Sequence, residues 1–370
     1  MAEPVPAVVM LPPAGVSPAE RWIGQGRTAA ASDLIARLLS SGRIGPVYVL
    51  AAEPDDRAAL QALGAVPWLG PAGPFHFGAA LGGFIEASGA DELAYFGGAS
   101  APLLTSDLIL ESLDYLAAAV GPAAVVNNYH STDWAFIRQP QGLRDLAGKL
   151  SSDNPIGWVL GQEAGYAVSG LPASAATRSD LDTPADFLLL SGHPDLGPAL
   201  AGFLQKAPSH LLQRIDAIRD ILRTPASHVT IIGRSSSHLW QSLERRGQIW
   251  VRLLVEERGM VASGRLERGE VRSIVGEMLE AWGPTDFIRR LAAMSDAVLW
   301  DTRVWMAHRG GWPPVADRFA ADLGWVNQIQ DQALRELTQA IEQAPIPILT
   351  GGHGVVAGSV YALVETLGPG

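Results

Sequence analysis

Short apolar runs alternate with amphipathic segments along the first half of the chain, a pattern that predicts a parallel sheet covered by helices on both faces. The strands are expected at residues 7–11, 46–51, 93–96 and 123–128. The helices are expected at residues 28–39, 55–63, 77–88 and 106–120. This half therefore predicts a three-layer α/β domain of the Rossmann-like kind, whose ligands would bind at the carboxyl ends of the strands.

The second half of the chain has its own strand and helix signals. Its strands are expected at residues 228–232, 249–255, 297–300 and 346–349, and its long helices at 272–282, 285–294 and 331–342. Pro345 and Pro347 predict that the last strand lies at a sheet edge or starts late, because proline cannot donate a ladder hydrogen bond.

A chain of 370 residues is long for one domain. The glycine- and proline-rich stretch at 191–198 marks the expected boundary. The sequence thus predicts one α/β domain at residues 1–195 and a second α/β domain, whose role it does not indicate, at residues 196–370.

Composition narrows the class of protein. A net charge of −11 without a long Lys/Arg run disfavours nucleic acid and anionic membranes as partners. The absence of cysteine excludes disulfides, thiolate catalysis and cysteine-ligated zinc. With no basic, signal-like start and no run of about 18 apolar residues, we expect a cytoplasmic protein with small-molecule partners. A homo-oligomer is compatible with this composition.

One stretch of the first half, residues 94–107, combines a strand, a glycine pair, a turn and a helix start. The strand runs into Gly97 and Gly98, which allow the chain to turn or to approach a ligand closely. Ala99, Ser100 and a Pro-Leu-Leu-Thr turn at 102–105 follow, and the helix begins after them.

Three motifs in this order resemble the molybdenum-cofactor guanylyltransferase-like group, which includes 2-phospho-lactate guanylyltransferase and sugar-nucleotide pyrophosphorylases. The first is a strand and loop ending at Gly15, followed by Arg21 and Arg27. The second is a glycine-led helix start at 78–83 leading to the 102–105 turn. The third is Asp-Leu-Asp-Thr-Pro-Ala-Asp at 180–186. The resemblance covers residues 5–192, about half of the chain.

The resemblance implies a nucleotidyltransferase that binds a nucleotide or phosphorylated metabolite. In its reaction a substrate phosphate or hydroxyl would attack the α-phosphorus of a nucleoside triphosphate and release pyrophosphate, with Mg²⁺ as cofactor. It implies catalytic roles for Arg21 and Asp182, and metal-binding roles for Asp180 and Asp182. It further implies cofactor-binding positions at Gly15, Arg27, Gly78, Gly97, Gly98 and Ser100.

Two departures keep an alternative open, in which the chain is a catalytically degenerate ligand-binding or assembly protein. Ser100 stands where the family has an aspartate, and the prolines before Gly15 remove two backbone donors. Asp182 is also a candidate N-cap of the helix that follows it. Residues 127–133 follow a strand and are compatible with a binding loop or with an internally bonded one.

Two strand-to-helix turns in the second half offer a third alternative, with the chemistry in the C-terminal domain. Residues 233–238 present an arginine and three serines after a strand, and residues 350–354 present three glycines and His353. Neither turn has the Gly-Lys-Ser/Thr of a phosphate-binding P-loop. Ser235 and Gly352 are the candidate ligand-binding residues of these turns. Asp301 and Arg303, after a further strand, predict a structural ion pair.

Overall fold

Two β-sheets organise the protein, whose computed structural model describes residues 3–368. Backbone contacts divide the chain into two units. Unit 1 comprises Met1–Ala14, Gly24–Asp180 and Asp195–Ala201, and unit 2 comprises Gly15–Ile23, Leu181–Pro194 and Gly202–Gly370. Two short segments before residue 195 therefore group with unit 2, and the predicted boundary at 195 stays a prediction.

Unit 1 contains a seven-stranded mixed sheet. Its strands are β1 Val5–Leu11, β2 Ile44–Ala51, β3 Val66–Pro67, β4 Glu92–Gly97, β5 Ala123–Val126, β6 Trp134–Arg138 and β7 Ala167–Gly170. Their order across the sheet is β3-β2-β1-β4-β6-β5-β7. All neighbouring pairs are parallel except those of β6, which runs antiparallel to β4 and to β5.

Unit 2 contains a four-stranded sheet in which every neighbouring pair is parallel. Its strands are β8 His228–Gly233, β9 Trp250–Val255, β10 Ala297–Asp301 and β11 Ile348–Gly351. The order β11-β10-β8-β9 reverses direction between β8 and β10, and in such sheets the crevice outside that pair of carboxyl ends is the usual ligand site. The last strand lies at an edge and begins after Pro347, which confirms the prediction made from the prolines.

Eighteen α-helices connect these strands in residues 3–368. The first nine are α1 Pro18–Ser40, α2 Pro54–Gln61, α3 Phe77–Ser88, α4 Ser106–Ala118, α5 Gln141–Asp145, α6 Ile156–Trp158, α7 Ala175–Arg178, α8 Pro184–Leu189 and α9 Pro198–Leu204. The others are α10 Ser209–Arg223, α11 Ser237–Arg246, α12 Ile274–Trp282, α13 Pro284–Ala292, α14 Arg303–His308, α15 Val315–Asp322, α16 Gln332–Glu342, α17 Gly354–Ala357 and α18 Val360–Glu365. Single turns of other helix types lie at Ala147–Lys149, Val159–Glu163 and Val326–Gln328. None of the helices in this part of the chain is long and apolar enough to cross a bilayer.

Helices cover both faces of the seven-stranded sheet. On one face, α1 and α4 pack through Leu34 and Leu113 against the β1 and β4 strands. On the other face, α3 packs through Leu81 and Phe84 against the same two strands. The alternate residues of a strand point to opposite faces, so both faces can be buried only when every strand residue is apolar. The predicted three-layer α/β class with a second α/β domain is confirmed.

One helix start and three strands of unit 1 differ from the sequence prediction. Helix α1 begins at Pro18 rather than near residue 28, although Gly24 and Gly26 disfavour a helix there. The burial of Ala19 and Ile23, each 1% exposed, offsets the cost of the glycines. The sequence analysis also did not identify β3, β6 and β7, which are only two, five and four residues long.

Gly78 has a packing role in α3. Its N–H donates to the carbonyl of Leu150 at 3.0 Å. A Cβ on Gly78 would lie 1.9 Å from the carbonyl oxygen of Ala147 and 3.0 Å from the Cβ of Leu150. The turn at 147–149 therefore approaches α3 at a distance that only glycine permits.

We expect Gly78→Ala to lower the free energy of unfolding by about 1–3 kcal/mol, because a methyl group must displace backbone atoms there. Gly148→Ala, in the same contact region, is the matched control, since nothing lies within 4 Å of a Cβ at that position. Its effect should stay within about 0.5 kcal/mol. Urea denaturation of the three proteins measures the difference, and equal stabilities would contradict the packing role.

Candidate functional site

The loop that follows β4 lies at the carboxyl edge of the unit 1 sheet. The N–H of Gly98 donates to the carbonyl of Met10 at 2.7 Å, and a Cβ on Gly98 would lie 2.6 Å from the Cα of Leu11. Gly98 is therefore required by the close approach of β1. A Cβ on Gly97 would lie 3.4 Å from Asp153 Oδ2 and 3.5 Å from Ser100 Oγ, so both of these oxygens lie next to Gly97.

Ser100 is 3% exposed and lies inside this loop. Its hydroxyl oxygen is 2.8 Å from the carbonyl oxygen of Gly97 and 3.0 Å from that of Asp133. A hydroxyl has one hydrogen to donate, and here backbone carbonyls receive it. Ser100 also forms an isolated antiparallel bridge with Asp180, which brings the third sequence motif to the second.

Three carboxylates surround the phenol of Tyr95 at this edge. The hydroxyl of Tyr95 donates to Asp153 Oδ2 at 2.9 Å. Burial raises the pKa of Tyr95 well above its ordinary value, and the negative charges of Asp153, Asp133 and Asp180 raise it further. The motif reasoning selected Asp180 but neither Asp133 nor Asp153. Asp153 lies in a loop without a recognisable spacing, so only the tertiary fold identifies it.

The loop between β5 and β6 is internally bonded. The side-chain oxygen of Asn127 accepts from the backbone N–H of Asp133 at 2.8 Å and of Trp134 at 3.2 Å. The side-chain nitrogen of Asn127 donates to Asp133 Oδ2 at 2.8 Å and to the carbonyl of Thr177 at 3.1 Å. Of the two alternatives for this loop, the structure favours the internally bonded one for Asn127, which holds Asp133 in place.

The two predicted metal ligands belong to different units. Asp180 is half-buried in unit 1, whereas Asp182 is exposed and groups with unit 2. Residues 3–368 contain no group of three or more His, Cys, Asp or Glu residues placed to hold a metal ion. Mg²⁺ is commonly held by one or two carboxylates together with substrate phosphates and water. The acids near Ser100 satisfy that minimal requirement only when a phosphorylated ligand supplies further oxygens.

The first loop is a helix-capping turn. The N–H of Ser17 donates to Glu20 Oε2 at 3.0 Å, and the N–H of Glu20 donates to Ser17 Oγ at 3.2 Å. A Cβ on Gly15 would lie 2.3 Å from Glu20 Oε1, which explains the glycine. Arg21 is exposed and donates to the carbonyl of Val16. These residues group with unit 2, whereas Arg27, half-buried on α1, belongs to unit 1.

The carboxyl edge of the unit 2 sheet carries ionisable side chains at the end of each strand or just after it: Arg234 after β8, Glu256 and Arg258 after β9, Asp301 at the end of β10 and His353 after β11. The two residues predicted from the sequence have other contacts. Ser235 donates its hydroxyl hydrogen to the carbonyl of Val356 at 3.1 Å. A Cβ on Gly352 would lie 2.7 Å from Thr183 Cγ2, so Gly352 is needed for packing.

Two buried ion pairs replace the one predicted after β10. Asp301 is fully buried and pairs with Arg234, whose Nε lies 2.5 Å from Oδ2 and whose Nη2 lies 3.2 Å from Oδ1. Arg303 instead pairs with Asp322, at 3.2 Å from Nη1 to Oδ1 and 2.5 Å from Nη2 to Oδ2. The expected Asp301–Arg303 side-chain pair is therefore wrong, because each side chain finds its partner on another element.

The helix at the third motif begins one residue later than expected. Thr183, not Asp182, is the N-cap of α8. The N–H and the hydroxyl of Thr183 donate to Asp186 Oδ2 at 2.7 and 2.8 Å. Asp186 is fully buried, and burial raises its pKa from 3.8 to about 7. The nearby charge of Asp182 adds to this rise, which outweighs the opposing hydrogen bonds.

Solved structures similar to this chain carry transferase names. One, described as a nucleotide-diphospho-sugar transferase from Desulfovibrio desulfuricans G20, has a TM-score of 0.42 and 12% identity, covering 57% of this chain and 98% of that one. A cytidylyltransferase from Leptospira borgpetersenii serovar Hardjo-bovis has a TM-score of 0.40 and 16% identity, with 58% and 95% covered. CMP:2-keto-3-deoxy-manno-octonic acid synthetase complexed with CTP has a TM-score of 0.37 and 14% identity, with 49% and 94% covered.

A search with protein-family models and a search of curated sequences each found no match. At identities of 12–16% the structural similarities carry no conclusion about activity. The α/β fold class rests on the two sheets themselves, and the function has to be argued from the side chains at their carboxyl edges.

The buried Asp186 predicts an unusual pH dependence of stability. The folded state holds its proton more tightly than the unfolded chain, so this group lowers the free energy of unfolding as the pH rises from about 4 to about 7. The slope is about 1.4 kcal/mol per pH unit. Asp186→Asn keeps an oxygen acceptor for Thr183 but cannot ionise. Its loss of stability between about pH 5 and about pH 7 should be smaller than that of the parent by about 2 kcal/mol.

Urea denaturation across that pH range makes the comparison, because every other titrating group cancels in the difference between variant and parent. Asp220→Asn, at a side chain 79% exposed, serves as the control and should follow the parent curve. A constant offset between the Asp186→Asn and parent curves at all pH values would show that Asp186 ionises normally.

Proposed function

We propose that unit 1 binds a nucleotide or phosphorylated metabolite at the carboxyl edge of its seven-stranded sheet, and that it acts as a Mg²⁺-dependent nucleotidyltransferase. The observation that supports this proposal is the convergence of Ser100, Asp153 and Asp180 around the glycine pair after β4. The carboxyl edge of a parallel sheet is where α/β proteins bind such ligands. In the proposed reaction an acceptor oxygen attacks the α-phosphorus, a new P–O bond forms, and pyrophosphate leaves.

Asp180 and Asp153 would hold the Mg²⁺ together with the phosphates of the ligand. The ion would neutralise charge on the phosphates and on the leaving pyrophosphate. Gly97 would bring the backbone next to the bound ion, because the side-chain oxygens of Asp153 and Ser100 both lie beside it. Tyr95, held neutral by burial and by the surrounding acids, donates to Asp153 and fixes the orientation of that carboxylate.

A second candidate function is binding without turnover. It is favoured by Ser100, whose hydroxyl faces two backbone carbonyls where the resembled family has an acid. With one carboxylate fewer, the loop would bind phosphate groups while the chemistry is slowed or lost. The two candidates share the site and differ only in whether pyrophosphate is released.

Calorimetry with each of the four ribonucleoside triphosphates, with and without Mg²⁺, tests the site. We expect Mg²⁺-dependent heat with at least one of them, and a loss of about tenfold or more in affinity for Asp180→Asn, since a carboxylate ligand becomes neutral. Asp114→Asn is the matched control and should bind as the parent does, because Asp114 is a 70% exposed side chain of α4 that pairs with Arg43, just before β2 begins. The absence of heat with all four nucleotides would remove the proposal.

Ser100→Asp separates the two candidates. A new carboxylate at this buried position would lie among the carbonyl oxygens of Gly97 and Asp133 and near Asp153, so we expect lower stability without a cation. Mg²⁺ should restore that stability if the ion binds here. Pyrophosphate release by this variant alone would assign the parent as a non-catalytic binder, and release by the parent would assign it as an enzyme.

A further inference from the structure

The side chains that follow the two outer strands of the unit 2 sheet meet above its centre. Arg258 follows β9 and His353 follows β11, the two edge strands, and Arg258 Nη2 lies 3.0 Å from His353 Nε2. Three strand spacings separate those edges, about 14 Å in all. The charges of Arg234, after β8, and Asp301, at the end of β10, act on both side chains, so their contact lies near the point where the strand order reverses and where α/β sheets bind ligands.

Arg258 has no carboxylate counter-ion. In residues 3–368 its one hydrogen-bond partner is the imidazole of His353, and no carboxylate oxygen lies within 4.0 Å of it. Partial burial and the charge of Arg234 lower the pKa of Arg258 below its ordinary value, the charge of Asp301 acts in the opposite direction, and the guanidinium stays protonated at neutral pH. This guanidinium thus has no direct ion pair in that part of the chain, and the charge of Asp301, which pairs with Arg234, acts on it only from a greater distance.

His353 is neutral and is a second donor at this point. Burial lowers its pKa from 6.5 to about 4, and the charges of Arg234 and Arg258 lower it further. A guanidinium can only donate, so Nε2 of the ring accepts from Arg258 and the single ring proton lies on Nδ1. The Nδ1–H group of His353 and the N–H groups of Arg258 are all hydrogen-bond donors, and neither residue carries a negative charge.

The acids at this edge are already engaged. Asp301 is paired with Arg234, and Glu257 is paired with Arg265. Burial raises the pKa of Glu256 to about 7, so that its carboxyl group is partly protonated at neutral pH. The carboxyl edge of the unit 2 sheet therefore has an excess of positive charge near Arg258.

We propose that this edge of unit 2 binds a small-molecule oxyanion, the phosphate or carboxylate group of a ligand, through Arg258, with His353 and Arg234 completing the site. Guanidinium groups bind both oxyanions through charge-assisted hydrogen bonds. Because Arg234 and Asp301 cancel and Glu256 is partly protonated, the site keeps a net positive charge of less than one unit, which a bound anion neutralises. This inference is independent of the function proposed for unit 1, because it uses different residues and a different probe.

The imidazole of His353 gives a direct test by proton NMR. The His353→Gln variant assigns its ring signal among those of the eight histidines. Inorganic phosphate and acetate are then titrated separately into the full chain, with chloride at matched ionic strength as the reference. We expect a saturable shift of the His353 signal with at least one anion, together with a rise in the pKa of His353, because the anion offsets the nearby positive charge.

Arg258→Gln should weaken this response by at least about tenfold, because a hydrogen bond to a charged group is lost. It should also raise the pKa of His353 in the absence of any anion, a readout that needs no ligand. Arg245→Gln is the matched control, since Arg245 is an exposed arginine of unit 2 that bonds within its own helix. It should respond as the parent does.

Saturation by phosphate alone assigns a phosphate site, and saturation by acetate alone assigns a carboxylate site. A shift that chloride reproduces, or one that persists unchanged in Arg258→Gln, would overturn the proposal. So would the absence of any saturable shift with both anions.

Discussion

Strands that are apolar on both faces confine the polar chemistry of this protein to the ends of the strands. In the seven-stranded sheet, β1 and β4 are packed between helices on both sides, and no polar side chain could lie along them without losing its hydrogen bonds to water. Charged and hydroxyl groups therefore collect at the carboxyl edges. In unit 2, Asp301 ends β10 and Arg234 follows β8, so these charged groups also lie at the carboxyl ends of parallel strands.

The two edges differ in the sign of their charge. The edge of unit 1 brings Asp133, Asp153 and Asp180 around a buried phenol, an arrangement suited to a cation shared with phosphates. The edge of unit 2 brings arginines around a neutral imidazole, an arrangement suited to an anion. The overall net charge of −11 indicates neither arrangement, because it sums surface groups that take no part in them.

Glycines at these edges have roles in packing as well as in access. A side chain on Gly98 would collide with the backbone of β1, and one on Gly352 would collide with Thr183. Such positions look like ligand-binding glycines in a sequence, since both roles require the absence of a Cβ. Gly97 differs, because a Cβ there would meet its neighbours at 3.3 Å or more, including the oxygens of Asp153 and Ser100.

The sequence by itself determined the α/β class, most strands and the edge position of β11, because continuous apolar runs and prolines act locally. The motif resemblance also selected Gly97, Ser100 and Asp180 as candidate site residues, a selection that stays a prediction. Only the tertiary structure decided which acids join them, since Asp153 comes from a loop that no spacing identifies. The tertiary structure likewise decided that Arg258 meets His353 across the sheet, because a contact between residues 95 positions apart depends on strand order.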